Sequence, residues 1–330
     1  MPKKSSTDSV VFVTRRIPET GLAMVRQTCQ VHLWKEELPP PKGVILQEIT
    51  DCEGLLCLLS DPIDAEVIAA GERLRVISQY AVGVDNVDLE AATARGIPVG
   101  HTPGVLTEAT ADLTFALLMA AARRIPEGIE NVRAGRWRTW EPLGLLGADV
   151  WGATLGVVGL GRIGTAVARR GRGFGMRVLY HDRARKPDLE AELGLEYAAL
   201  DDLLAQSDFV SLHIPLTPET HHLIAARELG LMKPISILIN TSRGPVVDAD
   251  SLCEGLRDGT IAAAALDVTD PEPIPPDHPL LALPNCIVLP HIGSATVTAR
   301  ERMAVMAAEN LLAGMRGERL PYCANVEVYL

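Results

Sequence analysis

The feature that most constrains the fold of this chain is a glycine-rich turn between an apolar run and a helix. Leu155 to Gly159 is expected to form a buried strand, which continues through Gly159-Leu160-Gly161-Arg162-Ile163-Gly164 into a helix over Thr165–Gly171. The first glycine allows the tight turn, the second lets the backbone approach a pyrophosphate, and the third lets the helix pack close to the strand. Since a helix N-terminus also presents unpaired N–H groups to phosphates, the motif predicts a dinucleotide site.

An acidic residue, Asp182, directly follows the second apolar run of this motif, Arg177–His181. A carboxylate at that position accepts both ribose hydroxyls of NAD and repels the 2′-phosphate of NADP. The cations Arg183, Arg185 and Lys186 come next and can hold a 2′-phosphate, although a solvated loop is the ordinary interpretation of such a run. The sequence therefore favours NAD and leaves NADP possible.

The other strand candidates are also short, continuous apolar runs. All nine candidates are Val10–Thr14, Leu55–Leu59, Arg75–Gln79, Leu155–Gly159, Arg177–His181, Phe209–Ile214, Ile237–Thr241, Ala263–Val268 and Cys286–Pro290. Continuous runs are typical of strands buried on both faces, and their alternation with helical stretches predicts an α/β fold with doubly wound parallel sheets. We expect about three strands before residue 100, one long helix over Thr107–Ala134 and a last helix over Val297–Gly317. The 330 residues suggest about two domains.

Composition excludes several classes of protein. The net charge is −11 and no basic cluster is present, which argues against a nucleic-acid partner. No apolar run reaches the roughly 18 residues that a membrane-spanning helix needs. Residues 1–8 are basic but lack the apolar segment of a signal peptide, so we expect a short disordered tail and a cytoplasmic protein. The six cysteines lack metal-ligand spacing, which predicts reduced, packed thiols and no metal site.

Three residues with complementary chemistry follow late strands of the chain. Arg243 offers a planar fork that can hold a carboxylate and polarise a neighbouring carbonyl. His291 can protonate that carbonyl oxygen as a hydride arrives from the nicotinamide, and Glu272, if hydrogen-bonded to it, would orient the ring and favour its protonated form. Asp267 is expected to accept a hydrogen bond from the nicotinamide carboxamide. Singly, each residue has an ordinary structural interpretation, but together, behind a dinucleotide motif, they predict reduction of a 2-keto acid. The other histidines lack such partners and are interpreted as structural.

The sequence resembles the D-isomer-specific 2-hydroxyacid dehydrogenase family over nearly its whole length. The matching segments are Gly159–Gly164, His213-Ile214-Pro215-Leu216-Thr217, Asn240–Gly244, Asp267, Pro271-Glu272-Pro273 and His291–Ser294. The resemblance implies that Arg243, Glu272 and His291 are catalytic. It implies cofactor contacts from Gly159, Gly161, Arg162, Ile163, Gly164, Asp182, Arg183, His213, Pro215, Thr220, Thr110, Thr241, Ser242, Asp267 and Gly293.

Within the family the chain is most similar to the glyoxylate/hydroxypyruvate reductases, through Val11–Pro18, Gly54–Asp61, Thr102–Thr107 and His291–Thr296. This implies a substrate pocket that Leu59, Ser60, Val82 and Gly83 complete beside Arg243 and His291. It also implies a homodimer in which Trp140 either reaches the partner's pocket or anchors the interface. Eukaryotic NADPH-using members of this branch lack an acidic residue at the position of Asp182, which again favours NAD.

The resemblance implies a dinucleotide-binding domain over residues 103–296, inserted into a substrate domain built from residues 1–102 plus 297–330. Connections near 102 and 296 would then form a hinge that closes on binding. A D-2-hydroxyacid dehydrogenase for another keto acid, such as D-lactate dehydrogenase, is an open alternative. Phosphite and formate dehydrogenases are disfavoured, because Val82 stands where the former have Lys and Glu272 where the latter have Gln. A non-catalytic NAD-sensing protein of the same fold would keep the three residues, so only turnover distinguishes it.

Overall fold

The polypeptide forms two units, each built on a fully parallel sheet. The computed structural model describes residues 9–330, and the tail expected over residues 1–8 lies outside that range. The first unit consists of the described residues up to Leu106 together with Ala295–Leu330, and the second unit consists of Thr107–Ser294. The roles predicted for the two domains remain predictions at this stage.

The first unit contains five strands where the sequence predicted about three. The strands are β1 (Val10–Val13), β2 (Gln30–Leu33), β3 (Gly54–Cys57), β4 (Val76–Gln79) and β5 (Val99–Gly100), and they are joined by α1 (Glu19–Arg26), α2 (Lys42–Ile49), α3 (Ala65–Ala70) and α4 (Leu89–Ala94). Their order in the sheet is β2-β1-β3-β4-β5. The missed strands β2 and β5 are the two edges. β2 alternates between exposed and partly buried residues and so has no continuous apolar run, whereas β5 is buried but only two residues long.

The second unit contains a seven-stranded sheet of order β12-β11-β10-β9-β6-β7-β8. Its strands are β6 (Thr154–Val158), β7 (Arg177–His181), β8 (Glu196–Tyr197), β9 (Phe209–Leu212), β10 (Ile237–Asn240), β11 (Ala263–Leu266) and β12 (Cys286–Val288). Its helices are α5 (Thr107–Ala122), α6 (Ile125–Arg133), α7 (Arg162–Gly173), α8 (Pro187–Leu193), α9 (Leu200–Gln206), α10 (Ala226–Leu231) and α11 (Ala249–Asp258). The two-residue edge strand β8 was not predicted.

Successive residues of the central strands enter opposite hydrophobic cores. Leu155 and Val157 of β6 face one core, whereas Val158 lies in the other. The same alternation separates Ile239 from Leu238 in β10. Because both faces are buried, most positions of these strands are apolar. The predicted doubly wound parallel α/β fold is confirmed.

Two helix boundaries differ from the prediction. The single helix expected over residues 107–134 is two helices, because Arg124 adopts a left-handed conformation with φ of 51°. The Arg124 guanidinium bonds the Glu127 carboxylate, and Pro126 opens α6. The helix after the glycine turn begins at Arg162 rather than at Thr165, so Gly164 lies in its first turn.

The last helix, α12 (Val297–Met315), packs into the first unit against α1, β3 and β4. Ser78 Oγ donates to the Ala307 carbonyl at 2.7 Å, and Tyr80 Oη donates to the Arg300 carbonyl at 2.7 Å. These bonds tie the C-terminal segment to the end of β4.

Within residues 9–330, no helix is long and apolar enough to cross a membrane. All six cysteines are free thiols, and four of them are buried.

Candidate active site

The loop after β10 is organised by the side chain of Asn240. Its Oδ1 accepts hydrogen bonds from the Ser242 backbone N–H at 3.0 Å and from Ser242 Oγ at 2.8 Å, and its Nδ2 donates to the Arg243 carbonyl at 2.9 Å. Arg243 Nη1 in turn donates to the Ser242 carbonyl at 2.8 Å. Arg243 is therefore fixed at the carboxyl end of a central strand, which is where open α/β sheets bind ligands.

The loop after β12 is held by Asp267, which follows β11. The Asp267 carbonyl accepts from the His291 N–H at 2.9 Å, and the carboxylate accepts from the N–H groups of Ile292 at 2.8 Å and Gly293 at 2.7 Å. Burial raises the pKa of Asp267, and the two N–H donors oppose that rise. His291 has a φ of 53°, which residues other than glycine rarely adopt, and these bonds hold it there. No pattern in the sequence indicated this bracing role.

The predicted hydrogen bond between Glu272 and His291 is present. Glu272 Oε1 lies 2.6 Å from His291 Nδ1. Because an ionised carboxylate can only accept, Nδ1 carries the proton of this bond, and Nε2 is the ring nitrogen left for proton transfer. The loop that carries Glu272 also touches the loop of Arg243, since a Cβ on Gly244 would lie 1.9 Å from the Thr269 carbonyl oxygen. The three loops are therefore built as one assembly.

The three glycines of the turn have different surroundings. Gly159 has a φ of 91°, and a Cβ on Gly164 would lie 2.0 Å from the Gly159 carbonyl oxygen. By contrast, a Cβ on Gly161 would meet nothing within 4 Å. Gly159 and Gly164 are required by the fold itself, whereas Gly161 keeps open the space before the N-terminus of α7, where Arg162 and Ile163 form the first turn. This open cradle fits a pyrophosphate.

Asp182 directly follows β7, and its carboxylate already has hydrogen-bond and ion-pair partners within the protein. Its carboxylate accepts from the backbone N–H groups of Leu160 at 2.9 Å and Arg183 at 2.7 Å, and Lys186 Nζ lies 2.9 Å away. Partial burial opposes ionisation, but Lys186 and the two N–H donors keep the pKa of Asp182 below its ordinary value. Arg185 is directed elsewhere, since both its Nε and Nη2 bond Glu190.

His213, just after β9, has a buried ring nitrogen without a partner. Its Nε2 lies 2.8 Å from Ser211 Oγ, whereas Nδ1 is buried and has no hydrogen-bond partner within residues 9–330. Burial lowers the pKa of His213 to about 3, so the ring is neutral near pH 7. The His213 carbonyl adjoins the glycine turn, because a Cβ on Gly159 would lie 2.6 Å from its oxygen. An unpaired polar atom beside the turn is what a ligand contact requires.

Other predicted cofactor residues hold the surrounding loops. Thr241 Oγ1 lies 2.9 Å from Thr114 Oγ1, which also donates to the Thr110 carbonyl. A Cβ on Gly293 would lie 3.4 Å from Thr110 Cγ2, so Thr110, Thr241 and Gly293 are close together. Thr220 Oγ1 donates to the Pro215 carbonyl at 2.7 Å and shapes the loop after β9.

The residues predicted to bind substrate from the first unit lie in the loops after β3 and β4. The backbone N–H groups of Leu59, Ser60, Val82 and Gly83 donate no hydrogen bond to any acceptor within residues 9–330. Adjacent unpaired N–H groups of this kind can bind an anion. Trp140, in the second unit, is 79 % exposed.

The expectation that the remaining histidines lack carboxylate partners is wrong for two of them. His222 Nδ1 lies 3.3 Å from Asp248, and His32 Nδ1 lies 3.3 Å from Glu48. In both pairs the fold brings together residues that are distant in sequence. No cluster of three or more possible metal ligands occurs within the described part of the chain.

A glycine turn that opens onto a helix N-terminus, beside an arginine and a histidine–glutamate pair, defines an NAD(P)-dependent dehydrogenase. The family model of the "D-isomer specific 2-hydroxyacid dehydrogenase, NAD binding domain" matches residues 115–293. A protein named "Glyoxylate reductase" from Korarchaeum cryptofilum is 57% identical over 319 residues, which are 96% of each chain. The chain belongs to the D-isomer-specific 2-hydroxyacid dehydrogenase family.

Solved structures agree with this assignment. The TT0316 protein from Thermus thermophilus superposes with a TM-score of 0.90 at 52% identity, over 96% of this chain and 99% of that one. An NADPH-dependent glyoxylate/hydroxypyruvate reductase from Sinorhizobium meliloti, solved with NADP and malonate, has a TM-score of 0.86 at 31% identity over 97% of each chain. A D-lactate dehydrogenase from Aquifex aeolicus, solved with NAD and lactic acid, has a TM-score of 0.85 at 29% identity, over 96% of this chain and 99% of that one. The protein is an oxidoreductase that uses NAD(P) to interconvert 2-keto and 2-hydroxy acids.

Proposed function

We propose that this enzyme reduces small 2-keto acids, with glyoxylate and hydroxypyruvate as the preferred substrates. The observation that carries the proposal is the assembly of Arg243, Glu272 and His291 on three interlocked loops at one edge of the sheet that also carries the glycine turn. The name of the Korarchaeum cryptofilum relative supports the choice of glyoxylate. In this proposal the second unit binds the dinucleotide, and the first unit contributes Leu59, Ser60, Val82 and Gly83 to the substrate site.

The residues of the chain divide the chemistry between them. When bound, the nicotinamide supplies the hydride. Arg243 holds the substrate carboxylate and polarises the carbonyl, while the unpaired N–H groups of Val82 and Gly83 donate to the same carboxylate. His291 gives the proton on Nε2 to the carbonyl oxygen as the hydride reaches the carbon, and the ring is reprotonated from water before the next turnover. Glu272 keeps the ring in the required orientation.

The test measures oxidation of NADH and NADPH by the purified protein with glyoxylate, hydroxypyruvate, pyruvate and phenylpyruvate. We expect the highest kcat/KM with the two small acids. Preference for pyruvate would favour a D-lactate dehydrogenase. Reduction of NAD by added phosphite, measured in a separate assay, would instead indicate a phosphite dehydrogenase. Tight NADH binding without turnover of any acid would indicate a sensor.

We propose that NADH is preferred over NADPH because Asp182 stands at the ribose position. Lys186 weakens this selection, since its ammonium lies 2.9 Å from the Asp182 carboxylate and neutralises part of the charge that would repel a 2′-phosphate. Asp182→Ala should lower kcat/KM with NADH about tenfold or more and improve the NADPH/NADH ratio. Lys186→Ala, which leaves the carboxylate in place, should shift the ratio in the opposite direction. A ratio that moves in neither variant would contradict Asp182 as the selector.

We also propose a homodimer. Apolar side chains are exposed along α6 and the segment after it, namely Ile129, Val132, Trp137, Trp140, Leu143 and Leu146. A surface of this kind indicates a protein interface. Light scattering should give the mass of two chains. If Trp140 reaches the partner's pocket, Trp140→Ala raises KM and leaves the dimer intact. If Trp140 is an anchor of the interface, the same substitution weakens the dimer.

The free thiols agree with a reducing compartment, for which we propose the cytoplasm.

A further inference from the structure

We propose that Asn86 is a positioning residue that fixes the two loops of the first unit whose N–H groups bind the substrate carboxylate. The inference rests on the proposed function, because it assigns those N–H groups to a 2-keto acid. Asn86 itself need not touch the substrate. It acts by holding Leu58–Asp61, after β3, against Tyr80–Asn86, after β4.

The Asn86 side chain bridges the two loops. Its Nδ2 donates to the Leu58 carbonyl at 3.0 Å and to the Asp61 carbonyl at 2.8 Å, so both protons of the amide bind the ends of one short turn. The backbone carbonyl of Asn86 accepts from the Ile63 N–H at 2.9 Å, which adds a third link to the same segment. The unpaired N–H groups of Leu59 and Ser60 lie inside the turn that Nδ2 spans.

A buried chain of hydrogen bonds orients the Asn86 amide. Gln79 is fully buried, and its Nε2 donates to Asn86 Oδ1 at 2.6 Å and to the Gly83 carbonyl at 3.4 Å. Gln79 Oε1 accepts from the Cys57 thiol at 3.0 Å. Since Asn86 Oδ1 must accept from Gln79, its nitrogen faces the two carbonyls. The same Gln79 also holds Gly83, one of the predicted substrate-binding residues.

Asp61 fixes the turn from the other side. Its Oδ2 accepts from Thr14 Oγ1 at 2.5 Å and from the Leu58 N–H at 2.7 Å, and the residue is fully buried. The turn is thus held by Asp61, which ties it to β1, and by Asn86, which ties it to the next loop. Of the two links, only Asn86 sets the spacing between the turn and the Val82–Gly83 segment.

Loss of this link is expected to affect carboxylate binding more than chemistry. The N–H groups contact the carboxylate equally before and during hydride transfer, so misplacing them removes uniform binding, which raises KM and leaves kcat nearly unchanged. A tenfold effect corresponds to the loss of about one charge-assisted hydrogen bond. The dinucleotide site belongs to the second unit and should be unaffected.

The experiment compares Asn86→Ala and Asn86→Ser with the wild type and with Asp88→Ala. Asp88 accepts from the Ala91 N–H at 2.9 Å and caps α4 beside the same loop, so Asp88→Ala controls for a general loss of stability. Calorimetry would measure oxamate, an unreactive carboxylate, binding to the full-length protein saturated with NADH. Steady-state assays would give KM and kcat for glyoxylate, and thermal unfolding would give Tm.

We expect both Asn86 variants to bind oxamate about tenfold more weakly and to raise KM in parallel, with kcat within about threefold and an unchanged Kd for NADH. Asp88→Ala should lower Tm without changing oxamate affinity. Unchanged oxamate affinity in folded Asn86 variants, equal weakening in Asp88→Ala, or no oxamate binding by the wild type would each overturn the inference. A wild type that binds oxamate but reduces none of the keto acids would refute the proposed function and leave the binding measurement as the test of Asn86.

Discussion

The carboxyl edges of the two sheets present different chemistry on the same architecture. At the edge of the seven-stranded sheet, charged and titratable side chains follow the strands, with Arg243 after β10 and His291 after β12. At the edge of the five-stranded sheet, the corresponding loops carry Leu59, Ser60, Val82 and Gly83, whose unpaired groups belong to the backbone. The proposed function assigns proton transfer to the first edge and anion binding to the second. Backbone donors leave no residue signature, whereas the side-chain chemistry can be read from the sequence.

Each edge nevertheless has polar side chains that brace its loops, and one from each edge shows the difference. Asp267 uses its acceptors to hold the N–H groups of Ile292 and Gly293, and Asn86 uses its donors to hold the carbonyls of Leu58 and Asp61. The bracing side chain thus supplies acceptors where the loop has unpaired N–H groups and donors where the loop has unpaired carbonyls. Substitutions at the two edges should therefore differ in how strongly they reduce activity and in whether kcat or KM changes.

The largest effect is expected at the side-chain edge. His291→Gln removes the proposed proton donor, so kcat should fall roughly 10²- to 10⁴-fold while the Kd for NADH stays within about twofold. His32→Gln is the matched control, because His32 also pairs with a glutamate but lies in the first unit. Stopped-flow single-turnover rates would isolate the chemical step. A loss smaller than tenfold would mean that another group protonates the substrate.

Substitutions in the glycine turn should distinguish residues needed for cofactor binding from residues needed for folding. Gly161→Ala has room for its methyl group, so we expect an unchanged Tm and a Kd for NADH raised about tenfold or more by the blocked approach of the pyrophosphate. Gly164→Ala should instead lower Tm strongly, since its Cβ would overlap the Gly159 carbonyl. Fluorescence titration and thermal unfolding would distinguish the two. Normal NADH binding by Gly161→Ala would contradict the prediction that the cofactor binds at this turn.

His213 should make the stability of the second unit depend on pH. Its pKa is about 3 in the folded protein and 6.5 as the unperturbed value, so between these pH values the unfolded chain binds a proton that the folded chain excludes. Stability therefore falls as the pH decreases through this window, by up to about 1.4 kcal/mol per pH unit. Chemical denaturation of His213→Gln between pH 7 and pH 5 should show a shallower loss, whereas exposed His32→Gln should follow the wild type. Equal slopes in wild type and His213→Gln would refute this.

The smallest effect is expected at the backbone edge. Ser60→Ala retains the N–H group, so KM for glyoxylate should stay within about threefold of the wild type, in contrast to the larger change expected for Asn86→Ala. Steady-state kinetics would measure both. A KM raised tenfold by Ser60→Ala would show that the hydroxyl contacts the substrate, and the contrast between the two edges would then be weaker.

The sequence predicted the core of the fold better than its margins. Strands buried on both faces, such as β6, β9 and β10, are continuous apolar runs and were found within a residue or two. The edge strands β2, β5 and β8 were missed, because an edge strand needs neither length nor uniform apolarity. The break at Arg124 was also missed, although Pro126 is a local signal for a helix boundary; the left-handed conformation and the bond from Arg124 to Glu127 are visible only in the structure.

The fold class, the dinucleotide turn and the candidate side chains for the reaction follow from the amino-acid sequence, because apolar period, glycine spacing and rare reactive residues are local properties. The groups that hold these features in place become visible only in the folded chain. Asp267 bonds the loop after β12, and Asn86 joins two loops from neighbouring strands. These contacts form when parallel strands bring distant carboxyl ends together, and a hydrogen bond between such residues leaves no periodic trace in the chain.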